Sequence, residues 1–101
     1  MTNRQRKRLA MGADLFNQTP ATPRSKLPPD PEELNDERAA WAQHCVIEFI
    51  GQTGVDDLDC AVGDLLADIM HLCDRIGVKF DEQLSNAKDH YAEEIETGVE
   101  S

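Results

Sequence analysis

The sequence predicts an all-α fold: a small three-helix bundle, or a helical hairpin plus one helix, behind a disordered basic N-terminal arm. Three observations carry this expectation. From Asn35 to Ile95 apolar residues recur at helical spacing, and no segment alternates apolar and polar residues long enough for a strand. Gly51, Gly54 and Gly77 divide that stretch into three segments. All five prolines lie between Pro20 and Pro31, where they remove backbone donors and favour extended conformations.

Taken in order, residues 1–31 read as a flexible, basic and Pro-rich arm, with one transient helical turn across Leu9–Phe16 that Gly12 and Asp14 interrupt. Residues 32–97 form the helical domain, and residues 98–101 a disordered tail. The first domain helix starts with Asn35 as its N-cap, places Asp36 and Glu37 in the first turn where the helix dipole favours acids, and ends between Gly51 and Gly54. Its apolar residues, Trp41, Val46, Phe49 and Ile50 among them, cover more than half the circumference. One hairpin can hardly bury that much surface, so a homodimer is expected. The second helix starts at Asp56 or Asp57 and carries a continuous stripe from Leu58 through Leu65, Ile69 and Leu72 to Ile76, closed by a left-handed Gly77 with Val78 beyond it. Asp81 caps the third helix, whose narrower stripe is Leu84, Ala87, Tyr91 and Ile95 and which ends at Thr97-Gly98. Its short link to the second helix predicts antiparallel neighbours. The expected core is Trp41, Phe49, Leu65, Ile69, Leu72, Phe80, Leu84 and Tyr91.

The formal charge of −10 is unevenly spread: residues 1–29 sum to +5 and residues 30–101 to −15. A body this acidic repels phosphate backbones, so nucleic acid is an unlikely ligand for the body and a possible one only for the arm. Within the arm, Arg4, Arg6, Lys7 and Arg8 form the candidate binding group, without the aromatic residues that stack on bases. Cys45, Cys60 and Cys73 are odd in number, form no Cys-x-x-Cys pair and fall in helical text, which predicts a reducing, cytoplasmic setting in a host cell. No stretch has the length of a signal peptide's apolar region or of a membrane span.

The residues that invite chemistry sit at one edge of the second helix. On an ideal wheel Asp57, Asp64, Asp68, His71 and Arg75 lie within about 60° of one another. Asp64 and Asp68, one turn apart, present two carboxylates in the manner of a helical Mg²⁺ or Mn²⁺ ligand pair. His71 and Arg75, with His90 and Glu94 on the third helix, would form the polar edge of such a site. No His-x3-His or Cys-x2-Cys spacing supports zinc. His44 and Glu48 read as a border pair, and no cysteine has the histidine and acid that would activate it. The ordinary reading of the edge is a solvated acidic flank, with Arg75 offsetting the acids.

The run from Gly63-Asp-Leu-Leu-Ala-Asp to Asn-Ala-Lys88 resembles the second helical half of MazG-like nucleotide pyrophosphohydrolases, over about a third of the chain. That resemblance implies a Mg²⁺ ligand role for Asp64. Two departures stand against it: Ala61 occupies the place of a ligand glutamate, and the first helix lacks the family's Glu-x-x-Glu, offering only Glu37 and Glu48. The segments Leu27-Pro-Pro-Asp-Pro-Glu32, Asn35-Asp-Glu-Arg-Ala-Ala-Trp-Ala42 and Asp64-Leu-Leu-Ala-Asp-Ile-Met-His-Leu-Cys-Asp-Arg75 resemble small acidic proteins of phages and mobile elements. This second resemblance implies an origin rather than a reaction.

Together these readings predict a non-enzymatic accessory protein of a phage or mobile element that binds another protein, possibly a basic one, and needs no cofactor. The alternatives are a diverged Mg²⁺-dependent MazG-like hydrolase and a DNA mimic that blocks a nucleic-acid-binding protein.

Overall fold

Four α-helices and a short 3₁₀ turn make up the computed structural model, which describes residues 2–97, with the side chains of Gln5, Arg8 and Leu9 outside that description. The helices are α1 (Asn3–Gln18), α2 (Asn35–Thr53), α3 (Leu58–Ile76) and α4 (Phe80–Ile95), and no strand occurs among the described residues. The expected tail at residues 98–101 lies outside them.

Helix α1 is the main departure from the sequence expectation, which allowed one transient turn across Leu9–Phe16. Gly12 does not break the helix; it lets two helices touch. A Cβ at Gly12 would stand 3.2 Å from Ile50 Cγ2 and 3.4 Å from the Ile47 carbonyl oxygen, so the α1 backbone approaches α2 closely enough that any side chain there would have to displace Ile50 slightly. Leu15 and Phe16 then pack against the buried cluster of Val46, Ile50 and Ala61. Packing on α2 therefore supports α1, which covers the part of the α2 apolar surface around Val46 and Ile50 and leaves Trp41 exposed.

Between α1 and α2 runs a strap, residues 19–34, pinned near the α2 N-terminus. Arg24 in the 3₁₀ turn Arg24–Lys26 donates to both carboxylate oxygens of Asp36, at 3.3 and 2.9 Å. Both side chains are exposed, so water and salt screen the pair and leave it weak. Asn35 is not the N-cap: Leu34 holds that position without a side-chain cap bond, and Asp30 supplies the acceptor from upstream. Its carbonyl accepts from Glu33 N–H at 3.0 Å, and its carboxylate accepts from the N–H groups of Leu34 (3.1 Å) and Asn35 (3.2 Å). Pro31 sets the turn, and Glu33 closes it at φ 60°, a left-handed position that a side chain occupies at some cost. Asn35 is the first helical residue, and its side chain is used elsewhere.

The other ends follow local rules. Asp57 caps α3 by accepting from Asp59 N–H at 2.9 Å, and Gly77 at φ 76° ends it, with Val78 N–H bonded to the Cys73 carbonyl at 3.1 Å. Asp81 is not the α4 cap but lies in its first turn, after an extended Lys79 without a side-chain cap bond. Gly54 closes α2 at φ 76°.

Helices α3 and α4 do not pair antiparallel as expected. An α4 folded back along α3 would end beside the α2 C-terminus. It ends instead at the α2 N-terminus, where Asn35 Nδ2 donates to the Glu94 carbonyl at 2.9 Å and Arg38 Nε meets Glu94 Oε2 at 3.2 Å. Arg38 also donates to Asn35 Oδ1 at 2.7 Å and meets Glu32 at 3.2 Å. With short links at Gly54–Asp57 and Gly77–Lys79, α2, α3 and α4 join end to end as an open triangular frame, with sides of about 28, 28 and 24 Å from the helical rise. The α2–α3 contact gathers around Val46, Ile50, Ala61 and Leu65, and α1 packs against α2.

An open frame has little interior. Val46, Ile50, Ala61 and Cys73 are its buried apolar residues, and α4 buries none. Of the expected core, Phe49, Leu65, Ile69 and Phe80 are half-buried, while Leu72, Leu84, Trp41 (63% exposed) and Tyr91 (57%) face outward. The reason is geometric, since these residues lie away from the hinge where α1, α2 and α3 meet. The radius of gyration is 16.1 Å, whereas a compact domain of this length has about 13 Å.

Two substitutions test this arrangement. Gly12→Leu should push α1 off Ile50 at about 1–3 kcal/mol, seen in thermal circular dichroism as a Tm lowered by about 4 °C or more; an unchanged Tm would show that α1 does not seat there. Arg38→Met should cost about 1–2 kcal/mol by freeing the α2–α4 corner, and it should be strongly non-additive with Glu94→Gln in a double-mutant cycle. Additive effects would mean that the corner pair is not formed.

Candidate functional site

The edge proposed on α3 is present as a helical edge, and all of it faces outward. Asp57, Asp64, Asp68, His71 and Arg75 are exposed. Arg75 turns back along the helix and its side chain donates to the His71 carbonyl at 3.0 Å, one turn away. Among the described residues no three His, Cys, Asp or Glu side chains come together in a way that could hold a metal ion. Asp64 and Asp68 therefore have no third ligand among the described residues. Glu94, grouped by sequence with His90, is committed to Arg38 at the frame corner, while His90 is exposed. His44 and Glu48 are likewise exposed on α2. The basic group sits on the first turns of α1, with Arg4, Arg6 and Lys7 exposed; the Arg8 side chain lies outside the described residues.

The acids of the α3 N-terminus act together on one group, the Cys60 thiol. It is raised above its ordinary range by the Asp57 carboxylate first, then by desolvation and by Asp64, Asp59 and Asp56. The Asp57 carboxylate, about a turn away, is the largest of these causes and by itself disfavours a thiolate. Cys60 is thus accessible yet a poor nucleophile, Cys45 is exposed and Cys73 is buried.

A cavity of about 460 Å³ opens at the α2–α4 corner between the strap and α4, with Leu27, Pro28, Tyr91 and Ile95 among its lining. Its charged residues already bond one another, Arg24 to Asp36 and Arg38 to Glu94. Sequence reading missed this corner because its parts lie 59 positions apart, from Asn35 to Glu94, and no local pattern joins them.

The feature that sequence reading did not foresee is an uncovered apolar face on α3. Val62, Leu66 and Met70, at successive steps of four, form a ridge of which about half is exposed, and Leu72 and Ile76 continue the exposure to the helix end. The signal was in the sequence as the continuous α3 stripe; only the frame geometry shows that little of it is covered. The acids Asp64 and Asp68 lie well round the helix from this ridge, on the side of His71 and Arg75, while Asp59 and Asp74 border it.

No family model matches the chain, and neither the curated proteins nor the solved structures contain a match. The likeness to MazG-like hydrolases therefore rests on the residues of the 63–88 run alone.

Iodoacetamide labelling checks the Cys60 environment. At neutral pH Cys60 should react slowly, and Asp57→Asn, which keeps a capping side chain, should speed it severalfold, as should added salt. A rate indifferent to both would contradict the electrostatic account.

Proposed function

We propose that this chain is a protein-interaction module whose docking surface is the uncovered α3 ridge with its acidic borders. The observation that supports this reading is the concentration of exposed large apolar side chains on one helix: Val62, Leu66, Met70, Leu72 and Ile76. Scattered surface leucines are ordinary, but the row of Val62, Leu66 and Met70, at steps of four along one face, favours a macromolecular contact. The acids around it discourage phosphate backbones and so favour a protein over a nucleic acid on this face. The accessory role in a phage or mobile element is the setting that the Leu27–Glu94 resemblance implies. No distance among the described residues favours the hydrolase or the DNA mimic over this reading.

A photo-crosslinking residue at position 66 tests the surface directly in host-cell extract. Discrete adducts to a protein, with a crosslinker at position 88 on α4 giving none of them, are expected. Adducts confined to positions within the same chain would refute the reading.

A further inference from the structure

We infer that the α3 ridge is covered by the same ridge of a second copy, so that the chain is completed as a two-fold dimer through α3. The inference rests on the docking reading above and names its partner.

Three observations point to self-docking. The first is area. An 11.3 kDa monomer exposes about 5,700 Å² by the usual size scaling, whereas this chain exposes 8027 Å². The surplus of about 2,300 Å² exceeds the roughly 800 Å² per partner of a standard interface and falls in the range of obligate dimers. The extended strap holds part of it, and the exposed apolar residues of 62–91 hold another part: eight of the twelve large hydrophobics exposed among the described residues lie there. The second is shape. Principal extents of 55 × 37 × 20 Å describe a thin plate, not a domain with its own interior, and a thin plate gains a core by stacking on another.

The third is the ridge. Val62, Leu66 and Met70 lie on an i±4 row, and two such rows interlock when helices cross at about −50°, the commonest helix packing. A two-fold axis crossing α3 near Leu66 sets each ridge against its own copy, as an isologous interface requires. The ridge bears no charge, and Asp64 and Asp68 lie away from it. Asp59 and Asp74 border it, and each copy brings the excess of acids carried by residues 30–101. Like charges therefore approach on dimerisation, and salt should tighten the dimer. A basic partner on the same face would show the opposite salt response.

The experiment is light scattering behind size exclusion, with small-angle X-ray scattering, on the full chain from 1 to 200 µM in low and high salt. The expected result is twice the 11.3 kDa chain mass, with a dissociation constant at least threefold tighter in high salt. Val62→Lys and Leu66→Lys, each alone, should give monomers of unchanged helicity, while Ala67→Lys, on the outer face, should leave the dimer intact. A wild-type monomer with a radius of gyration near 16.1 Å would overturn self-docking and leave the docking surface standing for another partner. A compact wild-type monomer near 13 Å would overturn both, because the chain would be covering its own ridge. A dimer that survives both ridge substitutions would place the interface elsewhere and overturn the inference.

Discussion

The structure depends on one junction, the tie between the end of α4 and the start of α2. There the Glu94 carbonyl accepts from Asn35 and its carboxylate meets Arg38, which also reaches Asn35 and Glu32. Three helices linked by short turns pack most closely when the third returns alongside the second. Binding its far end to the beginning of the first gives a looser bundle instead, in which α4 closes back on α2. The α2–α3–α4 segment becomes an open frame, and both the sparse core and the exposed α3 ridge follow from this closure. At its weakest the junction is a partly exposed polar cluster, so its strength comes from geometry shared among several partners rather than from one ion pair.

What the frame lacks in interior, the N-terminal segment partly restores. α1 lays Leu15 and Phe16 against the hinge cluster of Val46, Ile50 and Ala61, and Gly12 brings its backbone onto Ile50. The strap then returns the chain to the α2 N-terminus, where Asp30 accepts from the Leu34 and Asn35 N–H groups and Arg24 grips Asp36. The +5 segment is thus integrated with the −15 body through one packed helix and a few polar ties.

Helix limits were legible because they depend on nearest neighbours. The Asp57 cap, the left-handed Gly77 and the stripe from Leu58 to Ile76 each state themselves within a few residues. Gly12 misled because the same residue breaks an isolated helix and permits close packing of a supported one. Asn35 was assigned the cap position that Leu34 holds, with Asp30 supplying the acceptor through a turn closed by Glu33 at φ 60°, a conformation that sequence does not advertise for glutamate. The acidic edge of α3 was legible from helical period alone. Its isolation from other acids was not, since that depends on where α2 and α4 run, and their meeting at Asn35 and Glu94 is invisible to any local pattern.

Closure of the frame is the central claim, and it sets one distance above all others. The α2 start and the α3 end are held apart by the length of α4, whereas in a closed hairpin they would pack side by side. Pulsed electron paramagnetic resonance between spin labels at Glu37 and Arg75, with the native cysteines replaced and labelled chains diluted in unlabelled ones, measures that gap. The frame predicts a separation of about 20–30 Å; a distribution centred near 10 Å, the spacing of packed helices, would contradict it.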